Sequence, residues 1–327
     1  MYSRGRRRRG AARSASTSRG ISFVWSWLRT QRAEFGGVAV KWQLGFAGAA
    51  GVLALLARSG YERKHFRVET YTIETDKIRK KERNLVFLSD LHSNHFGLEN
   101  EELLTAIDRI GPDAVLIGGD MMVCKGVRET ETALSLARRL AERYPVFYGN
   151  GNHEQRMRRE REVYGDLYPR YVRALRASGV RYLSDASEFL GDDIRITGYD
   201  LDERYYRKFF VPPMKAEEIE AAVGAADGER FQILLAHSPL FFDAYGKWGA
   251  DLALAGHYHG GTIRLPVLGG VMTPQYQFFL PFCAGEFEKE GRRMIVSRGL
   301  GTHSINIRIN NLPQLVVVRL VRQAEAP

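Results

Sequence analysis

Five short apolar runs constrain this chain more than any other feature, because each breaks off into polar residues of one chemical kind. Asn84–Ser89, Asp113–Gly118, Pro145–Tyr148, Phe231–Ala236 and Asp251–Ala255 are apolar enough to be strands buried on both faces. Helical patterns fall between them at Glu99–Ile110, Thr130–Arg143 and Tyr168–Ser178. Arg293–Ser297 and Gln314–Leu320 read as later antiparallel strands. Strands alternating with helices predict an α/β domain over residues 67–322, with sheets inside and helices outside.

The run endings carry the chemistry. They read Asp90-Leu91-His92, Gly119-Asp120, Gly151-Asn152-His153-Glu154, His237-Ser238-Pro239 and Gly256-His257-Tyr258-His259-Gly260-Gly261. Open α/β sheets bind ligands beyond the carboxyl ends of their strands, so five such ends deliver Asp, Asn and His to one edge. A lone strand-end Asp or His is more often a turn former or a satisfied core group; five in order read as a metal site. Oxygen and imidazole donors without thiolate suit Mn²⁺, Fe²⁺ or Zn²⁺. The chain has eight histidines, and His92, His153, His237, His257 and His259 all lie in these endings. Residues i and i+2 of an extended segment face one side, which predicts that Asp90 converges with His92 and His257 with His259. The glycines around His257 and His259 permit a sharp bend that brings both imidazoles to two neighbouring metals, one each.

Charge must be located before it is used. The net charge is +10, but Met1–Gly20 holds seven arginines and no acid, and residues 21–66 hold six Lys or Arg against two Glu. The remaining 261 residues sum to −1, so bulk charge gives no reason to expect a nucleic-acid groove. Cys124 and Cys283 are far apart and form neither a disulfide framework nor a zinc ribbon. Residues 1–34 read as a basic, disordered arm, of which Met1–Gly20 is Arg, Ser, Gly and Ala with almost nothing to bury. Residues 35–58 carry few charges, are rich in small residues and are flanked by tryptophans. They predict an uncleaved membrane anchor helix and a single-pass protein at the cell membrane, with either sidedness open.

The five endings, in this order, resemble the calcineurin-like metallophosphoesterases across Asn84–Leu320. The anchored N-terminus, the Ala-His-Ser-Pro form of the fourth ending and Ser297–Gly301 (SRGLG) are similar to the membrane-associated bacterial branch. That branch includes UDP-2,3-diacylglucosamine hydrolase-like enzymes and exported cell-wall phosphoesterases. The resemblance implies a four-layer αββα sandwich of two mixed sheets flanked by helices. It implies one divalent metal ion held by Asp90, His92 and His259, a second by Asn152, His237 and His257, and Asp120 bridging both. Two such ions clamp a phosphoryl group and acidify a water. His153 is implied to face the scissile phosphate, protonating the leaving oxygen or stabilising charge. Tyr258 stands where threonine is commoner, and Thr302–Asn306 lacks an expected proline; both departures are expected to reshape the pocket rim. His95 reads as a solvated loop residue and Cys124 as a packing residue, while His303 stays open.

Asp202–Pro213 and Tyr276–Phe282 mix aromatics with cations or stand alone as aromatic loops, and either is expected to form a lid or to pack as an ordinary loop. The expected function is a dinuclear-metal phosphoester hydrolase acting at the membrane on a lipid-linked phosphodiester or pyrophosphate such as UDP-2,3-diacylglucosamine. The alternatives are an exported cell-envelope phosphoesterase of broad specificity and a non-catalytic metal-binding scaffold. A nuclease and a protein phosphatase share the metal chemistry; the near-neutral body disfavours the first and the tether the second. No nucleic-acid partner is expected.

Overall fold

The computed structural model describes residues 46–302 and 306–323. The predicted arm 1–34, the first part of the predicted anchor and His303 lie outside the described residues. Residues 46–62 are helical, so the helix runs four residues beyond the predicted anchor end at 58. Its last turns carry Arg58 and Glu62, which pair at 2.8 Å. No helix among the described residues is long and apolar enough to cross a membrane. Phe46, Val52, Leu53 and Leu55 are exposed. The chain divides into two compact units between Leu55 and Leu56, and the second holds everything that follows.

In chain order the strands are β1 (Arg67–Thr75), β2 (Glu82–Leu88), β3 (Ala114–Ile117), β4 (Val146–Gly149), β5 (Arg181–Leu183), β6 (Ala186–Leu190), β7 (Ile194–Gly198), β8 (Phe231–Leu235), β9 (Leu252–Ala255), β10 (Arg264–Leu265), β11 (Gly269–Gly270), β12 (Gly285–Lys289), β13 (Arg292–Val296) and β14 (Gln314–Arg322). One sheet has the order β1-β14-β2-β3-β4-β5 and the other β12-β13-β9-β8-β7-β6, with β10 and β11 a small hairpin between β9 and β12 in sequence. Both sheets are mixed. β13 is antiparallel to β12 but parallel to β9, and β14 is antiparallel to β2 but parallel to β1, so each predicted antiparallel strand is so on one side only.

Side-chain alternation explains the layers. Leu85, Phe87, Leu116 and Phe147 of the first sheet join Ile196, Ile233, Leu252, Leu254 and Ile295 of the second in one buried cluster. Their strand neighbours Val86, Leu88, Val115, Ile117 and Tyr148 point the other way, against helices Glu101–Ile110, Glu131–Ala141 and Leu167–Ala177. On the second sheet, Leu234, Ala253, Met294 and Val296 pack instead with Ile219, Phe242, Tyr245 and Trp248 of the helices Ala216–Val223 and Phe242–Trp248. Strands covered on both faces read as unbroken apolar runs, which is why the five runs stand out in the sequence. β1 lies on an edge with one face exposed, and its alternating RVETYTIET gives a weaker signal.

The same topology fixes the site. β2, β3 and β4 are mutually parallel, with Leu88 opposite Ile117 and Ile117 opposite Tyr148. β8 and β9 are likewise parallel, with Leu235 opposite Leu254. All five runs therefore end level within their sheets, each followed immediately by its polar residues.

Candidate metal centre and its cleft

The five endings come together. Asp90, His92 and His259 place their ligating atoms within 4.8 Å of one another, and so do Asp120, His237 and His257. His92, Asp120 and His153 form a third group between them. His92 Nε2 lies 3.1 Å from His259 Nε2, and His237 Nε2 lies 3.1 Å from Asp120 Oδ2 and 3.6 Å from Asp90 Oδ1. His257 and His259 thus turn to different donor groups. All these side chains are buried except Asn152, which is half-buried.

The route to convergence differs from the extended-strand expectation. Asp90, His92, Asp120, His257 and His259 have φ of 51°, 48°, 55°, 68° and 49°. The backbone has left the strand and entered the left-handed region, at a cost of roughly 1 kcal/mol per residue. Two glycines make room for this. A Cβ on Gly256 would overlap Asp90 Oδ2, and one on Gly151 would overlap Asp120 Oδ1. Tyr258 departs from expectation too: it is fully buried with its ring against His257, so it shapes the floor beneath the site and not the pocket rim.

Neighbouring groups set which nitrogen each imidazole presents. His237 Nδ1 contacts the Gly118 carbonyl at 2.7 Å, and His259 Nδ1 the Gly301 carbonyl at 3.1 Å. Each Nδ1 therefore carries the proton, leaving Nε2 as the lone-pair donor. His257 is turned the other way, with Nε2 3.3 Å from Gln275 Oε1. Its Nδ1 faces one terminal atom of the Asn152 amide at 2.9 Å, an atom that also lies 3.3 Å from Asp120 Oδ2. If that atom is the amide oxygen, three acceptors converge on one point, which a cation reconciles. Buried His237 Nε2 likewise faces Asp120 Oδ2 and Asp90 Oδ1 without the alignment of a hydrogen bond to either. The donor set therefore fits divalent cations.

Charge balance in the cluster points the same way. Burial opposes a charge on His237, but Asp120 and Asp90 beside it raise its pKa to about 10. Burial raises Asp90 to about 6, with Asp120 adding and His237 opposing. For Asp120 burial is outweighed by His237, His153 and His92, which hold it well below the usual carboxylate range. A histidinium thus stands in for a cation when metal is absent. Since a ligating imidazole must be neutral, metal uptake expels that proton at any pH below about 10. Apparent metal affinity is expected to rise about tenfold per pH unit between pH 6 and about 10, and more steeply below pH 6, where Asp90 must also lose its proton. Titration calorimetry in buffers of different ionisation enthalpy should find about one proton released per chain at pH 7.5. Zero release would contradict the assignment.

His153 is held differently. Its Nδ1 accepts the Cys124 backbone N–H at 2.7 Å, which puts the ring proton on Nε2. Burial lowers its pKa to about 4, with Arg156 and Lys125 adding to the shift and Asp120 opposing it. Cys124 itself is buried, its thiol pKa pushed up mainly by burial, so it packs as expected while its backbone orients His153. His95 is exposed, 3.4 Å from Thr132 Oγ1.

Three supporting residues escape a reading based on donor types alone. Glu154, buried, accepts the backbone N–H groups of Asp120, Met121 and Gly151 and the Tyr148 hydroxyl, tying the second ending to the third. Arg308, fully buried, donates to the carbonyls of Arg298, Gly299, Gly301 and Asn311 and so braces the loop that carries the His259 acceptor. Asn311 donates to the His259 and Thr262 carbonyls. Glu154 is visible in the sequence beside His153, whereas Arg308 and Asn311 lie more than forty residues beyond His259, the last of the donor residues.

A cavity of about 340 Å³ opens on Asn152, His153, His257 and His259. Its walls include Lys125, Arg156, Arg159, Arg207, Lys208 and Arg308 against one acid, Glu203. The two predicted lid segments meet at its mouth: the Gln275 amide donates to the Tyr205 and Arg207 carbonyls, Phe209 stacks on Tyr276, and Lys208 sits 4.8 Å from the Tyr276 ring centroid. The near-neutral body therefore conceals a basic cleft.

A family model for calcineurin-like phosphoesterase matches residues 83–261. Among curated proteins, an uncharacterised metallophosphoesterase of Aquifex aeolicus is 29% identical over 81% of this chain and 95% of its own length. The metallophosphoesterase YkuE of Bacillus subtilis is 26% identical over 84% of this chain and 95% of its own. The phosphodiesterase YaeI of Escherichia coli is 24% identical over 72% of this chain and 82% of its own.

Proposed function

Since the chain belongs to the calcineurin-like phosphoesterase family and is a hydrolase of phosphoesters, we propose that it uses two divalent ions to cleave a lipid-linked phosphodiester or pyrophosphate at a membrane surface. The observation that carries this reading is the mouth of the cleft. Phe209, Phe210, Phe278 and Phe279 are each more than half exposed, beside Arg207 and Lys208 and next to the cavity that reaches the candidate ligands. Apolar rings mixed with cations suit an amphiphile with a phosphate head and an apolar tail.

Asp90, His92 and His259 would hold one ion and Asn152, His237 and His257 the other, with Asp120 between them. Bound divalent ions supply Lewis-acid polarisation of the phosphoryl oxygens and an acidified water. His153, neutral at pH 7 with its proton on Nε2, serves as a hydrogen-bond donor to the phosphoryl or leaving oxygen. The cationic wall neutralises the substrate head, and the buried Glu154 keeps the Asp120 and Gly151 backbones in register.

Product analysis by mass spectrometry tests the reading, using the full chain in detergent with Mn²⁺. UDP-2,3-diacylglucosamine is expected to yield UMP and the lipid monophosphate. Cleavage of a generic aryl phosphodiester alone would sink the lipid-precursor reading and favour an exported cell-envelope phosphoesterase of broad specificity.

A further inference from the structure

The loop that braces His259 is itself held by the end of the N-terminal helix. Residues 306–311 form no helix or strand, so their backbone N–H groups must find partners outside regular structure. Two buried side chains from far back in the sequence supply them. Ser59 Oγ accepts the Arg308 N–H at 3.0 Å, and Glu62 accepts those of Asn310 and Asn311 at 3.0 and 2.8 Å, one on each oxygen. The same segment then fixes His259 at two points. Asn311 donates its amide to the His259 carbonyl at 2.7 Å, and Arg308 donates at 2.7 Å to the Gly301 carbonyl, the atom that faces His259 Nδ1. Gly301 also gives its own N–H to the Asp90 carbonyl at 2.6 Å, so the brace touches two of the three residues in one donor group. The other group is held elsewhere, with His237 on the Gly118 carbonyl and His257 against Gln275. Charge adds to the link: burial pushes the Arg308 pKa down to about 10, while Asp90 and then Glu62 oppose that shift.

We propose that Ser59 and Glu62 are positioning residues of the metal centre, which set the 308–311 loop and through it aim His259 at the ion shared with Asp90 and His92. The inference rests on the two-ion reading of the donor groups. It gives the end of the helix a role separate from any attachment to a membrane, since Leu56 onward belongs to the compact unit that holds the donors. The effect is selective, because the hydrogen-bonded path from Glu62 leads to one donor group and the second has its own supports. Residues that orient metal ligands in this way typically govern affinity by 10–100-fold.

The test is a Mn²⁺ binding isotherm on the full chain, with free Mn²⁺ followed by electron paramagnetic resonance. Glu62→Gln turns an amide NH₂ toward one of the two N–H groups. It should weaken one of the two ions by about 10–100-fold and the other by less than about threefold. Ser59→Ala, a milder change that strands only the Arg308 N–H, should weaken the same ion by a smaller factor, and it carries the test if the glutamine variant does not fold. Asp193→Asn controls for loss of stability alone. Asp193 is also buried, accepts the Arg79 N–H and pairs with Arg83, but it precedes β7, which runs parallel to β8, and so lies at the sheet end opposite His237. That variant should leave both affinities unchanged. In the metal-free protein, long-range ¹H–¹⁵N spectra should show His259 protonated on Nδ1 in the parent and as a mixture of tautomers in Glu62→Gln. Unchanged affinities in both helix variants, or an equal weakening of both ions, would overturn the positioning role. A wild-type protein that binds no Mn²⁺ would instead mean that the metal reading itself has failed.

Discussion

Asp120→Asn is expected to lower turnover of an aryl phosphodiester by roughly 10³-fold or more, the loss that several kcal/mol of charge stabilisation implies. The substitution keeps the shape of the side chain and an oxygen to accept the His153 N–H, now 2.8 Å from Asp120 Oδ1, so the fold should survive. What goes is the carboxylate shared by two of the donor groups. A second consequence follows in the metal-free protein. Asp120 is the foremost group holding the proton on His237 against burial, so that proton should be lost at lower pH in the variant. Histidine resonances followed by NMR would show it. A variant that kept wild-type turnover, or a His237 that titrated unchanged, would remove Asp120 from the centre.

Glu154→Ala should be the most destabilising single change near the site. It strands three buried backbone N–H groups and leaves the Tyr148 hydroxyl with the Tyr171 hydroxyl alone. At about 1–3 kcal/mol for each unsatisfied group, the loss is on the order of 3 kcal/mol or more, a large part of a domain's usual 5–15 kcal/mol. Glu154→Gln keeps one accepting oxygen and most of the volume. Its amide NH₂ must face donors on one side, so it should cost less than the alanine variant, about 1–3 kcal/mol, while weakening metal binding 10–100-fold as the tie between the second and third endings loosens. Urea unfolding, with and without Mn²⁺, separates the two variants. An alanine variant as stable as the parent would show that these N–H groups find other partners.

The sequence is most informative where burial on both faces and metal chemistry coincide. β3, β4 and β9, β2 from Leu85 on and β8 apart from Gln232 are apolar because helices and the opposite sheet cover them, and each is closely followed by its donor residue, so run and ending can be read together. The edge strands β1 and β6 are half-buried and give no such signal. The conformation of the endings was not legible either. Extended backbone would bring residues i and i+2 to one side, but left-handed turns at Asp90, His92, His257 and His259 replace it. Overall composition concealed the basic cleft, since Lys125, Arg156 and Lys208 are scattered along the chain and offset by acids elsewhere. Arg308 and Asn311 act through backbone carbonyls, a role that no residue pattern announces.

The most direct test of the metal centre is the metal content of the full chain after reconstitution with Mn²⁺ and gel filtration, measured by inductively coupled plasma mass spectrometry. The arrangement of Asp90, His92 and His259 beside Asp120, His237 and His257 predicts about two ions per chain. Asp120→Asn should retain at most one. A wild-type protein that retains none, or an Asp120→Asn variant that binds as much as the parent, would contradict the account at its base.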